Sequence, residues 1–171
     1  MKYAIFKTKW GYFGLAGTEN ALLRTCLPVA GRKRAKCLLL KDLRSAEYDK
    51  TLFKSLQEQI SAYFDGGCVN FGRGIPLGLA GLSQFTRLVL AACRDIRFGQ
   101  TISYGQLAEK IGRPGAVRAV GGALAKNPLP LIIPCHRVTY ANGKIGGFSA
   151  MGGAKLKKRM LELEEKSIKS H

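Results

Sequence analysis

Along the first half of the chain, apolar residues come in short runs broken by charge and glycine, the spacing of strands rather than of long helices. Residues 3–8 and 11–16, separated by Lys9-Trp10, read as two strands, and residues 21–28 and 37–40 as two more. The period then changes. Leu52, Phe53, Leu56, Ile60 and Tyr63 fall at helical spacing, so residues 52–64 are predicted to form the helix that covers this small sheet, with Gly66-Gly67 stopping it. Residues 72–82 are rich in glycine and proline and carry no charge after Arg73, which marks a connection between two units. The predicted division is an α/β domain over 1–78 and a second domain over 79–171.

The second half is patterned for short helices. Ser83 can cap a helix with Phe85, Leu88, Val89, Ala92 and Ile96 inward, ending at Phe98-Gly99. Ser103-Tyr104-Gly105-Gln106 has the form of a capping box and opens a helix carrying Leu107, Ala108 and Ile111, with Gly112 as its stop. Pro114 suits the first turn of a third helix with Val117, Val120 and Leu124 on one face, closed by Asn127-Pro128. Two short helices joined in this way form a candidate helix-turn-helix. Residues 137–140 and 144–147 flank Asn142-Gly143, a pair suited to a type I′ hairpin, so a wing is predicted after it. A last amphipathic helix is predicted over 153–167, with Leu156, Met160 and Leu163 inward and Lys155, Lys157, Lys158 and Arg159 mostly outward.

Charge narrows the partner. Lys and Arg number 28 against 11 Asp and Glu, a formal charge of +17, which favours a polyanion such as DNA, RNA or an anionic membrane surface. No apolar run is long enough to cross a bilayer, and lysines interrupt the N-terminus where a signal peptide needs apolar residues. The five cysteines are odd in number and never paired as CxxC, which fits a reduced, cytoplasmic setting. With His136 and His171 as the only histidines, no four-ligand zinc cluster is expected, and no cofactor is called for.

The richest stretch runs from Asn127 to Val138. Pro128, Pro130 and Pro134 forbid a helix there and are expected to hold the chain extended, delivering Cys135 beside the wing. A lone cysteine is ordinarily a buried small hydrophobe. Here His136 follows it, and a thiol becomes a useful nucleophile when a base or a positive field favours its thiolate. Lowering a thiol pKa from about 8.5 to about 6.5 takes roughly 2.7 kcal/mol of preferential stabilisation of the anion. Neighbours on an extended chain point to opposite sides, so a water-bridged contact between Cys135 and His136 is expected rather than a direct one. The histidine then wants an acid to fix its tautomer. Asp95, Glu109, Glu162, Glu164 and Glu165 are the candidates, and helical spacing does not choose among the last three.

The motifs Phe98-Gly99, Ile102-Ser103-Tyr104, Arg118-Ala119-Val120-Gly121-Gly122-Ala123, Asn127-Pro128, Ile133-Pro134-Cys135-His136-Arg137-Val138 and Gly146-Gly147-Phe148-Ser149 occur in this order. In that set the sequence resembles the O6-alkylguanine-DNA alkyltransferases, the methylated-DNA–protein-cysteine methyltransferases. The resemblance is close from about 85 to 164; it implies a ribonuclease-H-like fold for the small N-terminal sheet and a winged helix-turn-helix for the rest. It further implies DNA repair by irreversible, stoichiometric transfer of the alkyl group from O6-alkylguanine in double-stranded DNA to Cys135, by a monomer that needs neither metal nor membrane.

By the same resemblance His136 is the water-linked base, Glu164 the acid beyond it, and Asn127 the brace of the active-site turn. Tyr104 crowds the phosphate and offers its hydroxyl to the guanine, Arg118 enters the duplex in place of the extruded base, and backbone groups of Cys135 and Val138, with Phe148 and the region of Ser149, line the guanine pocket. Physical reasoning runs parallel to these roles. An O6-alkyl carbon inside a duplex is out of reach of a pocket-bound thiol, so the base must be flipped out at a cost of a few kcal/mol. Gly121 and Gly122 each cost a helix about 1 kcal/mol relative to alanine, which suits either close approach of DNA or close helix packing. Phe148, where relatives often carry tyrosine, and the extra Ala150-Met151 before Gly152-Gly153 depart from the family pattern and bear on pocket width. The alternatives are a non-catalytic damage sensor, against which Cys135 argues, a cysteine hydrolase for small substrates, and a plain transcription factor.

Overall fold

Strand alternation with both faces covered builds the N-terminal part. In β1 (Lys2–Thr8) and β2 (Gly11–Gly17), successive side chains turn to opposite sides. Tyr3, Ile5 and Ala16 meet Cys26, Ala35 and Leu39 in one buried cluster. Phe6 and Phe13 face the other way, their ring centroids 5.6 Å apart, and Phe13 lies 6.1 Å from Phe64. Helix α1 (Arg32–Leu40) supplies the first layer and α2 (Lys54–Phe64) the second. β3 (Leu22–Val29) pairs antiparallel with β2, and β4 (Glu47–Tyr48) pairs parallel with β1, giving the order β3-β2-β1-β4. At Gly14 an added Cβ would stand 3.0 Å from Leu39 Cδ2, so the missing side chain lets α1 lie close to the sheet.

The structure is a computed structural model and describes residues 1–43 and 45–171. The chain divides into two compact units, Met1–Gly78 and Leu79–His171. The strands expected over 3–8, 11–16 and 21–28 are present with ends moved by a residue or so. The strand expected over 37–40 is not: those residues are the end of α1, whose Ala35 and Leu39 are buried four residues apart. A four-residue apolar run reads equally as strand or buried helix, and the basic turn before it hid the helical period.

The second unit is helical. In α3 (Gln84–Arg94), Ser83 Oγ accepts from the Thr86 backbone at 3.2 Å, the expected cap. Its buried stripe is Thr86, Val89, Leu90 and Cys93, whereas Leu88 is exposed, so the inward face is rotated from the one predicted. β5 (Ile102–Ser103) leads into α4 (Tyr104–Lys110) through a complete capping box: Gln106 N donates to Ser103 Oγ at 3.0 Å and Ser103 N to Gln106 Oε1 at 2.8 Å. Gly112, at φ 72, ends α4, with Gly112 N bonded to Glu109 O and Arg113 N to Ala108 O, the paired bonds of a Schellman stop. Pro114 lies in the turn, not in a helix, because α5 begins later (Val117–Ala125). Val117, predicted inward, is exposed.

The wing differs from its prediction. β6 (Val138–Thr139) pairs in parallel with β5, and residues 144–147 form no strand. Tyr140 N still bonds Lys144 O at 3.0 Å and Gly143 N bonds Tyr140 O at 2.9 Å. Only Gly143 has positive φ, which makes a three-residue loop ending in a left-handed residue rather than a type I′ turn. Helix α6 (Gly153–Lys169) follows from Gly152, itself at φ 103. Among the described residues, no helix is long and apolar enough to cross a membrane.

Candidate active site

Asn127, just beyond α5, organises the turn that carries the thiol. Its Oδ1 accepts from Leu129 N at 2.9 Å, while Nδ2 donates to Ile133 O at 2.9 Å and to Cys135 Sγ at 3.2 Å. The prolines do not hold this segment extended as expected. Ile133 N bonds back to Leu129 O at 2.9 Å, and Leu131 sits at φ 77, so the chain makes a tight turn before Cys135. A leucine in the left-handed region costs on the order of 1 kcal/mol and persists where surrounding bonds over-determine it. Asn127 and the buried side chains of Leu129, Leu131, Ile132 and Ile133 supply that constraint. Cys135, His136 and Arg137 then form one 3-10 turn, all three buried, with Cys135 only 5% exposed.

The residues after the thiol converge on one carboxylate in α6. Glu164 Oε1 accepts from His136 Nε2 at 2.7 Å and from Arg137 Nη2 at 2.9 Å. Arg137 Nε reaches both carboxylate oxygens, at 3.1 and 3.0 Å, and Gly99 N donates to Oε2 at 3.1 Å. Arg137 Nη1 finishes on Ile96 O at 2.7 Å. Glu162 and Glu165 are exposed on the opposite side of α6, where Glu165 pairs with Lys169. Burial decides what spacing did not: Glu164 is the acid beside the histidine.

Burial pushes the Glu164 carboxyl up, but its bonds to His136 and Arg137 outweigh that and hold it down at about 2. A carboxylate only accepts, so His136 Nε2 carries the proton and Nδ1 keeps the lone pair. Burial holds His136 below its ordinary value against the pull of Glu164, with Arg137 and Lys157 adding to the depression, so the imidazole is neutral in the resting protein. Burial raises the Cys135 thiol; the Asn127 hydrogen bond, Lys157 and the backbone amides of Cys135 and His136 oppose the rise without cancelling it. The resting acceptor is therefore a neutral thiol beside a neutral base.

Above Cys135 opens a pocket of about 470 Å³, to which Tyr104, Arg118, Gly121, Phe148 and Ser149 also contribute. Arg118 stands exposed on α5. An added Cβ at Gly121 or Gly122 meets nothing within 4 Å, so no packing inside this chain requires either glycine. The Val138 side chain is buried in β6, opposite Ile102. Gly122 lies one residue further round α5 and is exposed.

Sequence reasoning missed four contributors. Arg137, which the motif carries without a role of its own, holds Glu164 through three hydrogen bonds. Tyr140 lines the pocket with its ring 5.3 Å from Tyr104. Gly146 is needed because a Cβ there would come 2.3 Å from the Tyr104 hydroxyl. Lys157, predicted outward, is buried, lines the pocket and donates to Tyr104 Oη at 3.3 Å. The signal was present: Lys157, Met160, Glu164 and Ser167 repeat at helical spacing and form the buried stripe of α6, but three of the four are polar and were read as solvent-facing.

Fold and site together define a class: an α/β unit joined to a helix-turn-helix unit whose pocket is floored by a cysteine thiol. Residues 84–166 match the family described as 6-O-methylguanine DNA methyltransferase, DNA binding domain. The chain is 37% identical over 164 residues, 96% of its length and 98% of the relative's, to the methylated-DNA–protein-cysteine methyltransferase of Methanosarcina acetivorans. It is 46% identical over 114 residues to the namesake of Mycolicibacterium paratuberculosis, covering 67% of this chain and 66% of that one. The crystal structure of Mycobacterium tuberculosis OGT in complex with DNA superposes with a TM-score of 0.80 at 33% identity, covering 98% of this chain and 94% of that chain. The chain belongs to the methylated-DNA–protein-cysteine methyltransferase family.

Proposed function

We propose that the protein repairs O6-alkylguanine in duplex DNA by taking the alkyl group onto Cys135. The observation that carries this reading is the Cys135 thiol at the floor of an open pocket, bonded to Asn127 and followed by the His136–Glu164 pair. The net charge of +17 and the exposed glycine face of α5 suit a DNA partner, and the Mycobacterium tuberculosis relative was crystallised with DNA. The lesion must leave the stack to reach the thiol, and Arg118, on the same helix as Gly121, is placed to fill the gap.

The chemistry follows from the resting charges. His136 Nδ1 takes the thiol proton through a bridging water, and Glu164 steadies the resulting imidazolium. The thiolate sulfur attacks the alkyl carbon, forming the S–C bond as the C–O6 bond breaks and its electron pair goes to the guanine. The guanine anion receives a hydrogen bond from Tyr104 or a proton returned through the imidazolium. The thioether is not hydrolysed, so one protein molecule repairs one lesion. His136 is buried, and its own bond together with those of Arg137 keeps Glu164 too acidic to accept the proton itself.

Duplex DNA labelled on the O6-methyl carbon tests the reading: the label moves to protein in a one-to-one ratio and stops, and Cys135→Ser takes up none. Continued release of labelled product by unmodified protein contradicts it.

A further inference from the structure

The reaction described above gives no part to Tyr140, which lines the pocket yet remains 53% exposed, whereas Cys135 at the floor is only 5% exposed. Tyr140 therefore stands at the rim. Its backbone is fixed there: N donates to Lys144 O at 3.0 Å and the carbonyl accepts from Gly143 N at 2.9 Å, closing the loop after β6. Its ring centre lies 5.3 Å from that of Tyr104 with the planes tilted by 50°, so the two rings meet at an angle and do not stack face to face. Much of a large aromatic surface is thus left in water beside a cavity, and it is withdrawn from water when a flat, apolar group enters. Val117 and Leu124 from α5 and Phe148 from the following loop carry the same apolar character around the pocket.

We propose, resting on the alkyl-transfer reading above, that Tyr140 binds the extruded base: its ring stacks on the purine of the O6-alkylguanine and holds it in the pocket while Cys135 reacts. Depth assigns the contact. The alkyl carbon must meet Cys135 Sγ at the floor, so the purine behind it extends towards the rim where Tyr140 stands. Tyrosine suits the task because it offers a rigid aromatic face at the cost of ordering only two side-chain torsions. A π-face also takes any base, so Tyr140 contributes affinity for the extruded purine and no choice of alkyl group. In the duplex the same stack replaces part of the stacking that the base loses when it flips, and so opposes its return.

Single-turnover kinetics with free O6-benzylguanine separate binding from transfer. Tyr140→Ala raises the half-saturating concentration about tenfold, in the range of one lost base–aromatic stack, and leaves the limiting rate within about twofold. Tyr140→Phe keeps both values, because the ring and not the hydroxyl makes the contact. A lower limiting rate with unchanged half-saturation makes Tyr140 a brace for Tyr104 and overturns the proposal. So does weaker duplex binding with unchanged free-base kinetics, which places the ring on the DNA backbone, and so does a loss in Tyr140→Phe equal to that in Tyr140→Ala. A second measurement reads base binding without transfer. The chain's one tryptophan, Trp10, lies in the first unit, so Tyr140→Trp in a Cys135→Ala background puts an indole reporter at the pocket. O6-benzylguanine should quench the indole emission saturably; emission unchanged at concentrations that saturate the wild-type reaction overturns the proposal. If the base quenches the reporter but the wild-type chain never alkylates Cys135, the alkyl-transfer reading fails and the stack stands.

Discussion

Glu164→Gln isolates the charge of the carboxylate that His136, Arg137 and Gly99 share. Shape is kept, but the buried Arg137 guanidinium loses its counter-ion, and removing one partner of a buried pair costs about 3–5 kcal/mol. An independent route gives a similar figure. Holding the carboxyl at about 2 instead of its ordinary 4.5 corresponds to about 3 kcal/mol of native-state stability. The sign is fixed: because the folded-state value is depressed, this stability is complete above pH 4.5 and is lost as pH falls towards 2. His136 adds an earlier limb, since burial also depresses its value, so stability already begins to decline as pH drops below 6.5. At pH 7 a loss of about 3 kcal/mol lowers the melting temperature by roughly 6–12 °C for a chain of this length. Circular dichroism melts and urea titrations from pH 3 to 8 measure both effects. The wild type should lose stability steeply between pH 4.5 and 3, and the variant should start lower and run flatter over that interval. A variant within 1 kcal/mol of wild type at pH 7, or one with the same acid limb, would refute the charge-hub account.

Further substitutions probe the remaining parts of the site. Gly121→Ala and Gly122→Ala meet no clash and gain helix propensity, so each should stabilise the protein by up to about 1 kcal/mol while slowing repair of duplex DNA and sparing reaction with free O6-benzylguanine; equal rates on duplex would show that no DNA comes close there. Asn127→Ala strands buried backbone groups of Leu129 and Ile133 and removes the donor to Cys135 Sγ, and should cost about 2 kcal/mol or more in urea denaturation together with a slower methyl transfer. Gly146→Ala puts a methyl group on the Tyr104 hydroxyl and should slow the reaction more than Tyr104→Phe does, because the whole ring is displaced; single-turnover kinetics compare the two.

The legible parts of the sequence were those where one local rule acts unopposed. The strand runs over 3–8 and 11–16, the Ser103 capping box and the Ser83 cap depend on neighbours in the chain, and the structure places them as expected. The failures share a tertiary cause. Helix α1 was read as a strand because its apolar turn is short and its basic start is solvent-facing. Lys157 was read as solvent-facing because the periodicity of α6 was followed through its apolar residues, whereas the helix buries a polar stripe against the thiol turn. Such a stripe contradicts burial preferences wherever a charge network is assembled, which is where functional sites lie. The left-handed Leu131 was invisible for a related reason: three prolines are equally compatible with an extended segment and with a tight turn, and Asn127, bonding across the turn, chooses.

Mass spectrometry of the protein after reaction with an O6-methylguanine duplex tests the central claim most directly. Cys135 competes with Cys26, Cys37, Cys68 and Cys93, of which Cys37 and Cys68 are exposed and open to any indiscriminate alkylating agent. The account predicts a single added CH2 per protein molecule, found entirely on the peptide that contains Cys135, and no gain in Cys135→Ala. Methyl groups on Cys37 or Cys68, or a methylated product in the Cys135→Ala variant, would contradict it.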